Sequence, residues 1–167
     1  LYIADTYGVY RDDYETARLN LEHLERSKKI YGGLTLAEVE VIERFAKAGG
    51  RIVAEFNSFA SPTPRHVRRR MEKLLGLKWT GWVARKAKDL SDYRESSEWI
   101  RKRWEKEFKR PWDLEGPGVI FVHEDNRVLV LRAGPELLEP DVFITVKDHR
   151  IPYRYWFDIV VAEREQD

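Results

Sequence analysis

The chain has 167 residues, with 30 Lys and Arg side chains, 29 Asp and Glu side chains and no cysteine. The net charge of +1 gives no overall case for nucleic acid as a partner, and the lack of cysteine excludes disulfides, thiolate metal sites and cysteine nucleophiles. An apolar content of 43% is typical of an ordered protein with a core. No apolar run approaches the roughly 18 residues of a membrane-spanning segment.

The first half of the chain alternates strand and helix patterns. Leu1–Ala4 is an apolar run of strand length, and Tyr14–Lys29 has apolar residues at helical spacing. Thr35 and Glu38 have the spacing of a capping box, which predicts the start of a second helix. Because the apolar run 51–56 follows this helix, the order strand, helix, strand predicts a crossover between parallel strands.

Glu55 is the exception in the apolar run 51–56. An interior parallel strand is apolar on both faces, and a buried carboxylate without a partner costs several kcal/mol, roughly. Glu55 therefore either pairs with a cation such as Arg65 or Arg85, or lies at the open carboxyl end of the strand. Asp5 follows the first strand in the same way, so the two carboxylates are predicted to lie at one edge of the sheet if the strands are neighbours.

A polar turn follows this strand and leads into a helix. The small polar residues of the turn are Asn57, Ser58 and Ser61. Thr63 is a good N-cap, and Pro64 suits the first helical position. The free N–H groups of this helix start, together with Arg65, predict an anion-binding site. The alternative is ordinary capping beside a solvated basic face, to which Arg68 also belongs.

The carboxyl-terminal third is rich in strand patterns. A strand is predicted around the WTGW motif at 77–85, and a helix over 98–109. The segments 119–123 and 127–132 alternate in polarity around Glu124-Asp125-Asn126, which predicts a hairpin. Further strands are predicted at 142–146 and 153–161, either added antiparallel to the sheet or packed beside it.

Three segments carry a resemblance to a known family: IADTYGVY, YGGLTLAEVEVIERFAKAGGRIVAEFNSFASPT and LLGLKWTGW. Together they resemble an uncharacterised prokaryotic family with a class I glutamine amidotransferase-like, flavodoxin-like fold, over roughly residues 1–132. The resemblance implies a three-layer α/β domain with a parallel central sheet whose first strand or strands precede Leu1. Members of the wider superfamily carry a cysteine at the sharp turn between strand and helix, where this chain has EFNSFASPT, and this departure argues against glutaminase or protease activity.

We therefore predict one α/β domain over residues 1–167, as a piece of a longer chain. Residues 1–117 form its parallel α/β part, and residues 118–167 form a β-rich extension. The leading functional prediction is a non-catalytic or degenerate amidotransferase-like domain. It binds a small polar or anionic ligand, or a protein partner, at the carboxyl end of the strand 51–56. The predicted ligand-binding residues are Tyr7, Asn57, Ser58, Ser61, Thr63 and Arg65.

Two alternatives come from other classes of protein. The first is a hydrolase in which Asp5 and Glu55 act as the catalytic acid and base. The second is an interaction scaffold that uses exposed tryptophans, although the six Trp residues are better explained by core packing. A serine hydrolase is disfavoured because Ser58 and Ser61 lack a G-x-S-x-G motif and a linked histidine. The sequence contains no metal-binding motif and no phosphate-binding glycine loop, so neither a metal nor a cofactor is predicted.

Overall fold

The structure, a computed structural model, describes residues 1–6, 8–11, 28–132, 143–146, 149–152 and 156–163, with backbone alone for the two ranges between 143 and 152. The strands in these ranges are β1 (Tyr2–Ile3), β2 (Gly8–Tyr10), β3 (Lys29–Gly32), β4 (Val53–Ala54), β5 (Leu77–Ala87), β6 (Gly118–His123), β7 (Val128–Arg132), β8 (Phe143–Val146), β9 (His149–Pro152) and β10 (Phe157–Ala162). The helices are α1 (Leu36–Lys47), α2 (Arg65–Leu75) and α3 (Glu98–Phe108).

The described elements belong to two compact units. The first contains β1 to β4, α1, α2 and β10, and the second contains α3 and β6 to β9. Strand β5 begins in the first unit and ends in the second, with the division after Val83. None of the helices in the described ranges has the length and apolar content that a bilayer crossing requires.

The predicted flavodoxin-like fold with a parallel central sheet is wrong. Strands β1 and β4 do pair in parallel, with Tyr2 opposite Val53 and Ile3 opposite Ala54, but they form a sheet of two strands. The largest sheet in the described residues is antiparallel and has the strand order β10-β5-β6-β7. The physical reason lies in β5, where Lys78 and Thr80 are exposed while Trp79 and Gly81 are buried. Such alternation is typical of antiparallel sheets rather than of parallel strands covered on both faces.

The predicted hairpin in the second unit is confirmed. Strands β6 and β7 pair antiparallel from Gly118 opposite Arg132 to Val122 opposite Val128. Their turn is closed by Asp125, whose Oδ2 accepts from Arg127 Nε at 2.9 Å. Desolvation raises the pKa of Asp125, but hydrogen bonds from the Arg127 backbone, His123 and the Arg127 side chain outweigh it and lower the pKa to about 2. The predicted helix 98–109 is present as α3.

In the first unit, the capping box predicted for α1 is present. The Thr35 hydroxyl accepts from the Glu38 backbone N–H, and the Glu38 carboxylate accepts from the Thr35 backbone N–H at 2.7 Å. Helix α1 contacts α2, where Arg70 Nε donates to Glu43 Oε1 at 2.8 Å. The helix predicted over 14–29 falls mainly outside the described residues, and its last residue, Lys29, begins β3 instead.

The burial of Arg68 and of the tryptophans bears on the functional alternatives. Arg68 was predicted to face solvent or a ligand, but it is buried, with its guanidinium carbon 4.4 Å from the centre of the Trp79 ring. Trp79 and Trp104 are also buried, and the other four tryptophans, at 82, 99, 112 and 156, are half-buried. An interaction scaffold built on exposed tryptophans therefore loses the observation that motivated it.

Candidate functional site

The chain makes a strained turn directly after β4. Phe56 has a φ of 61°, in the left-handed region that a bulky side chain rarely adopts. Such a conformation costs about 1–3 kcal/mol and is often found where a site requires it. The following residues, Asn57, Ser58, Phe59 and Ala60, are all buried, with exposed fractions of 7%, 2%, 4% and 0%. The polar turn predicted from the sequence is therefore an interior loop, which we call the 56–63 loop.

The 56–63 loop is held by backbone contacts from two other segments. The Thr6 backbone N–H donates to the Asn57 carbonyl at 2.9 Å, and the Thr6 hydroxyl donates to the Ser58 carbonyl at 2.9 Å. Gly33 approaches the end of the loop so closely that a Cβ atom there would lie 2.7 Å from the backbone nitrogen of Thr63. These contacts fix the backbone of the loop at both of its ends.

Asp158, which the sequence analysis did not select, reaches the same loop from β10. Its carboxylate faces the backbone N–H groups of Phe59, Ala60 and Ser58. These N–H groups are close enough to lower the pKa of Asp158, but none has the geometry of a full hydrogen bond, and both carboxylate oxygens are buried without a partner in the described part of the chain. Burial raises the pKa of Asp158 to about 7, and repulsion from Asp5 adds to the rise, whereas the N–H groups oppose it.

Asp5 and Glu55, the predicted acid and base, have different neighbours. Asp5 interacts electrostatically with Asp158. The Glu55 carboxylate accepts a hydrogen bond from the hydroxyl of Tyr2, a side chain that is 59% exposed, and this bond raises the pKa of the Tyr2 hydroxyl. Arg85, one of the two cations named as possible partners of Glu55, instead forms an ion pair with Glu95 at 3.1 Å.

The polar side chains of the loop mostly bind backbone groups. Asn57 donates from Nδ2 to the Ser61 carbonyl at 2.8 Å, while its Oδ1 is buried without a partner among the described residues. The Ser58 hydroxyl contacts the carbonyl oxygens of Ile3, at 3.3 Å, and Glu55. The hydroxyl proton of Ser58 is therefore donated to backbone carbonyl oxygens. The Thr63 hydroxyl accepts from the backbone N–H of Leu34 at 3.0 Å.

The start of α2 differs from the predicted anion site. The N-cap residue is Pro64 rather than Thr63, and no side chain caps the helix. Arg65 is exposed at the first helical position. Tyr7, the remaining predicted ligand-binding residue, lies outside the described residues. In the described ranges, no group of three or more His, Asp or Glu side chains is placed to hold a metal ion.

The sequence pattern that identified Glu55, an acidic residue in an apolar strand, could also have identified Asp158. Asp158 is the acidic residue in FDIVVA, an otherwise apolar strand. A carboxylate in such a strand requires either a partner or a functional reason.

No family model, curated protein or solved structure matches this chain. The resemblance to an amidotransferase-like family stays a prediction.

Proposed function

We propose that the first unit is a non-catalytic binding domain that takes a small polar ligand at the carboxyl end of β4. One observation carries the proposal: Asn57 Oδ1 and both carboxylate oxygens of Asp158 are buried without a hydrogen-bond partner in the described residues. A buried acceptor that lacks a donor costs about 1–3 kcal/mol. A ligand that supplies N–H or O–H groups to these oxygens would recover that free energy.

The lack of a nucleophile supports binding rather than catalysis. The strained residue of the turn is Phe56, whose side chain has no nucleophilic atom. The neighbouring Ser58 hydroxyl contacts two backbone carbonyl oxygens, and general-base activation would require a histidine or carboxylate at that hydroxyl instead.

The charges at the loop favour a neutral or cationic ligand over an anionic one. The backbone N–H groups of residues 58–60 would suit an anion, but they already face the Asp158 carboxylate. Asp5 adds a second acidic group on the same side. We therefore narrow the prediction of a polar or anionic ligand to amines, amides and polyols.

Titration of the protein with a panel of small amines, amides, polyols and carboxylates tests this proposal, with binding followed by ligand-observed NMR. We expect saturable binding of amines, amides or polyols and no binding of carboxylates. Asp158→Asn should weaken binding, whereas Asp113→Asn, which changes an exposed acid in the second unit, should not. Preferred binding of carboxylates, or equal binding by the two variants, would contradict the proposal. Binding that requires a protein partner would appear as a failure of the whole panel.

A second candidate function has one specific observation in its favour. Burial raises the pKa of Asp158 to about 7, and Asp158 interacts electrostatically with Asp5, so the two carboxyl groups could divide the roles of general acid and general base. In this form of the hydrolase alternative, Asp158 replaces Glu55. Hydrolysis of any substrate in a broad panel should then be lost in both Asp5→Asn and Asp158→Asn and kept in Glu55→Gln. No turnover by the wild type at any pH between about 5 and 9 would favour the binding domain.

A further inference from the structure

The second unit carries a shallow, open basic surface at the end of α3. Its lining residues are Lys102, Glu105, Lys106, Lys109, Arg110 and Pro111. We call it the α3 basic surface. All of these residues belong to the second unit, whereas the 56–63 loop belongs to the first.

Three of the four cations on this surface are available to a ligand. Lys102 is paired with Glu98 at 3.6 Å, and the Glu105 carboxylate accepts from the Trp112 backbone N–H at 2.7 Å. Lys106, Lys109 and Arg110 are exposed, and none of the three forms an ion pair within the part of the chain that the structure describes. The surface therefore carries three exposed cations that lack an ion pair among the described residues, beside one carboxylate, that of Glu105.

Arg110 is held in place rather than free to move. Its guanidinium carbon lies 4.8 Å from the centre of the Trp104 ring, and Trp104 is 3% exposed. The Trp104 ring in turn packs edge-on against Trp112, with ring centres 5.4 Å apart. A guanidinium that is already oriented loses less conformational entropy when it binds an anion. Its planar set of N–H donors matches the oxygens of a phosphate group.

Lys109 places a positive charge at a position where the backbone conformation disfavours a side chain. It has a φ of 56° at the carboxyl end of α3, where glycine is the usual residue. Cations near a helix carboxyl terminus also stabilise the helix dipole, which accounts for Lys106 in the last turn. That effect falls off beyond the last turn and gives a weaker reason for Lys109 and Arg110, which follow the last helical residue, Phe108.

We propose that the α3 basic surface binds a small anion that carries two or more phosphate groups. A multivalent anion is favoured because three exposed cations, none with an ion pair among the described residues, lie on one open surface, and a single negative charge would leave most of them unneutralised. The electrostatic part of this binding should weaken as salt increases, because exposed charges are screened.

Isothermal titration of the full chain with inorganic tripolyphosphate at low ionic strength tests the proposal. We expect saturable binding with one site per chain. The double variant Lys106→Gln/Arg110→Gln should weaken it by at least about tenfold, since it removes two charge-assisted contacts to phosphate oxygens. The matched control is Lys47→Gln/Lys78→Gln, which removes two exposed cations from the first unit, one of them in the last turn of α1. This control should change the affinity by less than about twofold, as expected for charges that are not part of the α3 basic surface.

A second variant separates binding from folding. Lys109→Gly removes a cation but gives the left-handed position its preferred residue, so the protein should melt at a higher temperature and yet bind tripolyphosphate more weakly. The proposal is overturned if tripolyphosphate shows no saturable binding, or if the control loses affinity as much as the double variant. Binding of a single-stranded oligonucleotide that increases with its length, without saturable binding of tripolyphosphate, would also overturn it and would identify a nucleic-acid backbone as the ligand.

Discussion

The backbone N–H of Asp158 donates to the carbonyl oxygen of Phe56 at 3.3 Å. This hydrogen bond connects β10 to the residue with the strained backbone directly after β4. It also places the Asp158 carboxylate against the N–H groups of the 56–63 loop and beside Asp5. The candidate site thus combines the first strand, the loop after β4 and a strand from the end of the chain.

Replacement of Asp158 by Asn should change the pH dependence of stability. The ordinary pKa of 3.8 is raised to about 7 in the folded state, so the folded state binds more protons than the unfolded state between these values. Asp158 therefore destabilises the fold progressively as pH rises from about 4 to 7. One pKa unit corresponds to about 1.36 kcal/mol, which sets an upper bound of roughly 4 kcal/mol.

Urea unfolding of the wild type and Asp158→Asn at pH 4.5, 6 and 8 measures this difference. We expect Asp158→Asn to be more stable by about 2–4 kcal/mol at pH 8, and the difference to shrink to about 1 kcal/mol at pH 4.5, because the unfolded carboxyl is still mostly ionised at that pH. Asp113→Asn, an exposed change in the second unit, should follow the wild type at each pH. A variant that is less stable than the wild type at pH 8 would show that the carboxylate is well compensated.

Glu55→Gln should have a small effect on stability. Its carboxylate is half-buried and accepts from the exposed Tyr2 hydroxyl, and a glutamine oxygen can accept the same bond. We expect a cost below about 1 kcal/mol in urea unfolding, as for ordinary exposed positions. Loss of about 3–5 kcal/mol would instead indicate a fully buried ion pair. Tyr2→Phe is the matched change on the other side of the bond and should cost a similar small amount.

The sequence allowed local structure to be predicted better than sheet topology. The capping box at Thr35 and the hairpin around Asp125 depend on residues close in sequence, and both are present. The parallel partnership of β1 with β4 was also predictable from the apolar runs. The number of strands in that sheet was not predictable, because strand length and strand partners depend on contacts between distant segments. The antiparallel sheet around β5 was unpredictable for the same reason.

The loop of the candidate site could be predicted from the sequence, but the acidic group that faces the loop could not. The small polar residues after residue 56 identified the loop, and Asp5 was selected as an acid near it. Asp5 interacts electrostatically with Asp158, and that interaction requires β10 to return to the start of the chain. No spacing rule links residues more than 150 positions apart, so this contact appears only in three dimensions.

Arg68→Ala should destabilise the first unit although the residue was predicted to be a surface cation. Its side chain is 8% exposed relative to a free residue, and its guanidinium lies over Trp79. Loss of this packing and of the cation–π contact should cost about 1–3 kcal/mol in urea unfolding. Arg69, the next residue along α2, is exposed, so Arg69→Ala should cost less than about 0.5 kcal/mol. Equal effects of the two changes would mean that the charge of α2, and not the packing of Arg68, determines the loss.

Gly33→Ala tests whether the 56–63 loop depends on close backbone approach. Gly33 has a φ of 79°, and an added Cβ would lie 2.7 Å from the Thr63 nitrogen and 2.8 Å from the Pro62 carbonyl carbon. Gly49 has a similar φ of 86°, but nothing lies within 4 Å of its Cβ position, so Gly49→Ala carries the conformational cost alone, about 1–2 kcal/mol. Because both neighbours of Gly33 are backbone atoms, the loop must move, and Gly33→Ala should cost about 1–3 kcal/mol more than Gly49→Ala in urea unfolding. Binding of the polar ligand should weaken in Gly33→Ala alone, whereas equal unfolding free energies for the two variants would show that the approach of Gly33 does not position the loop.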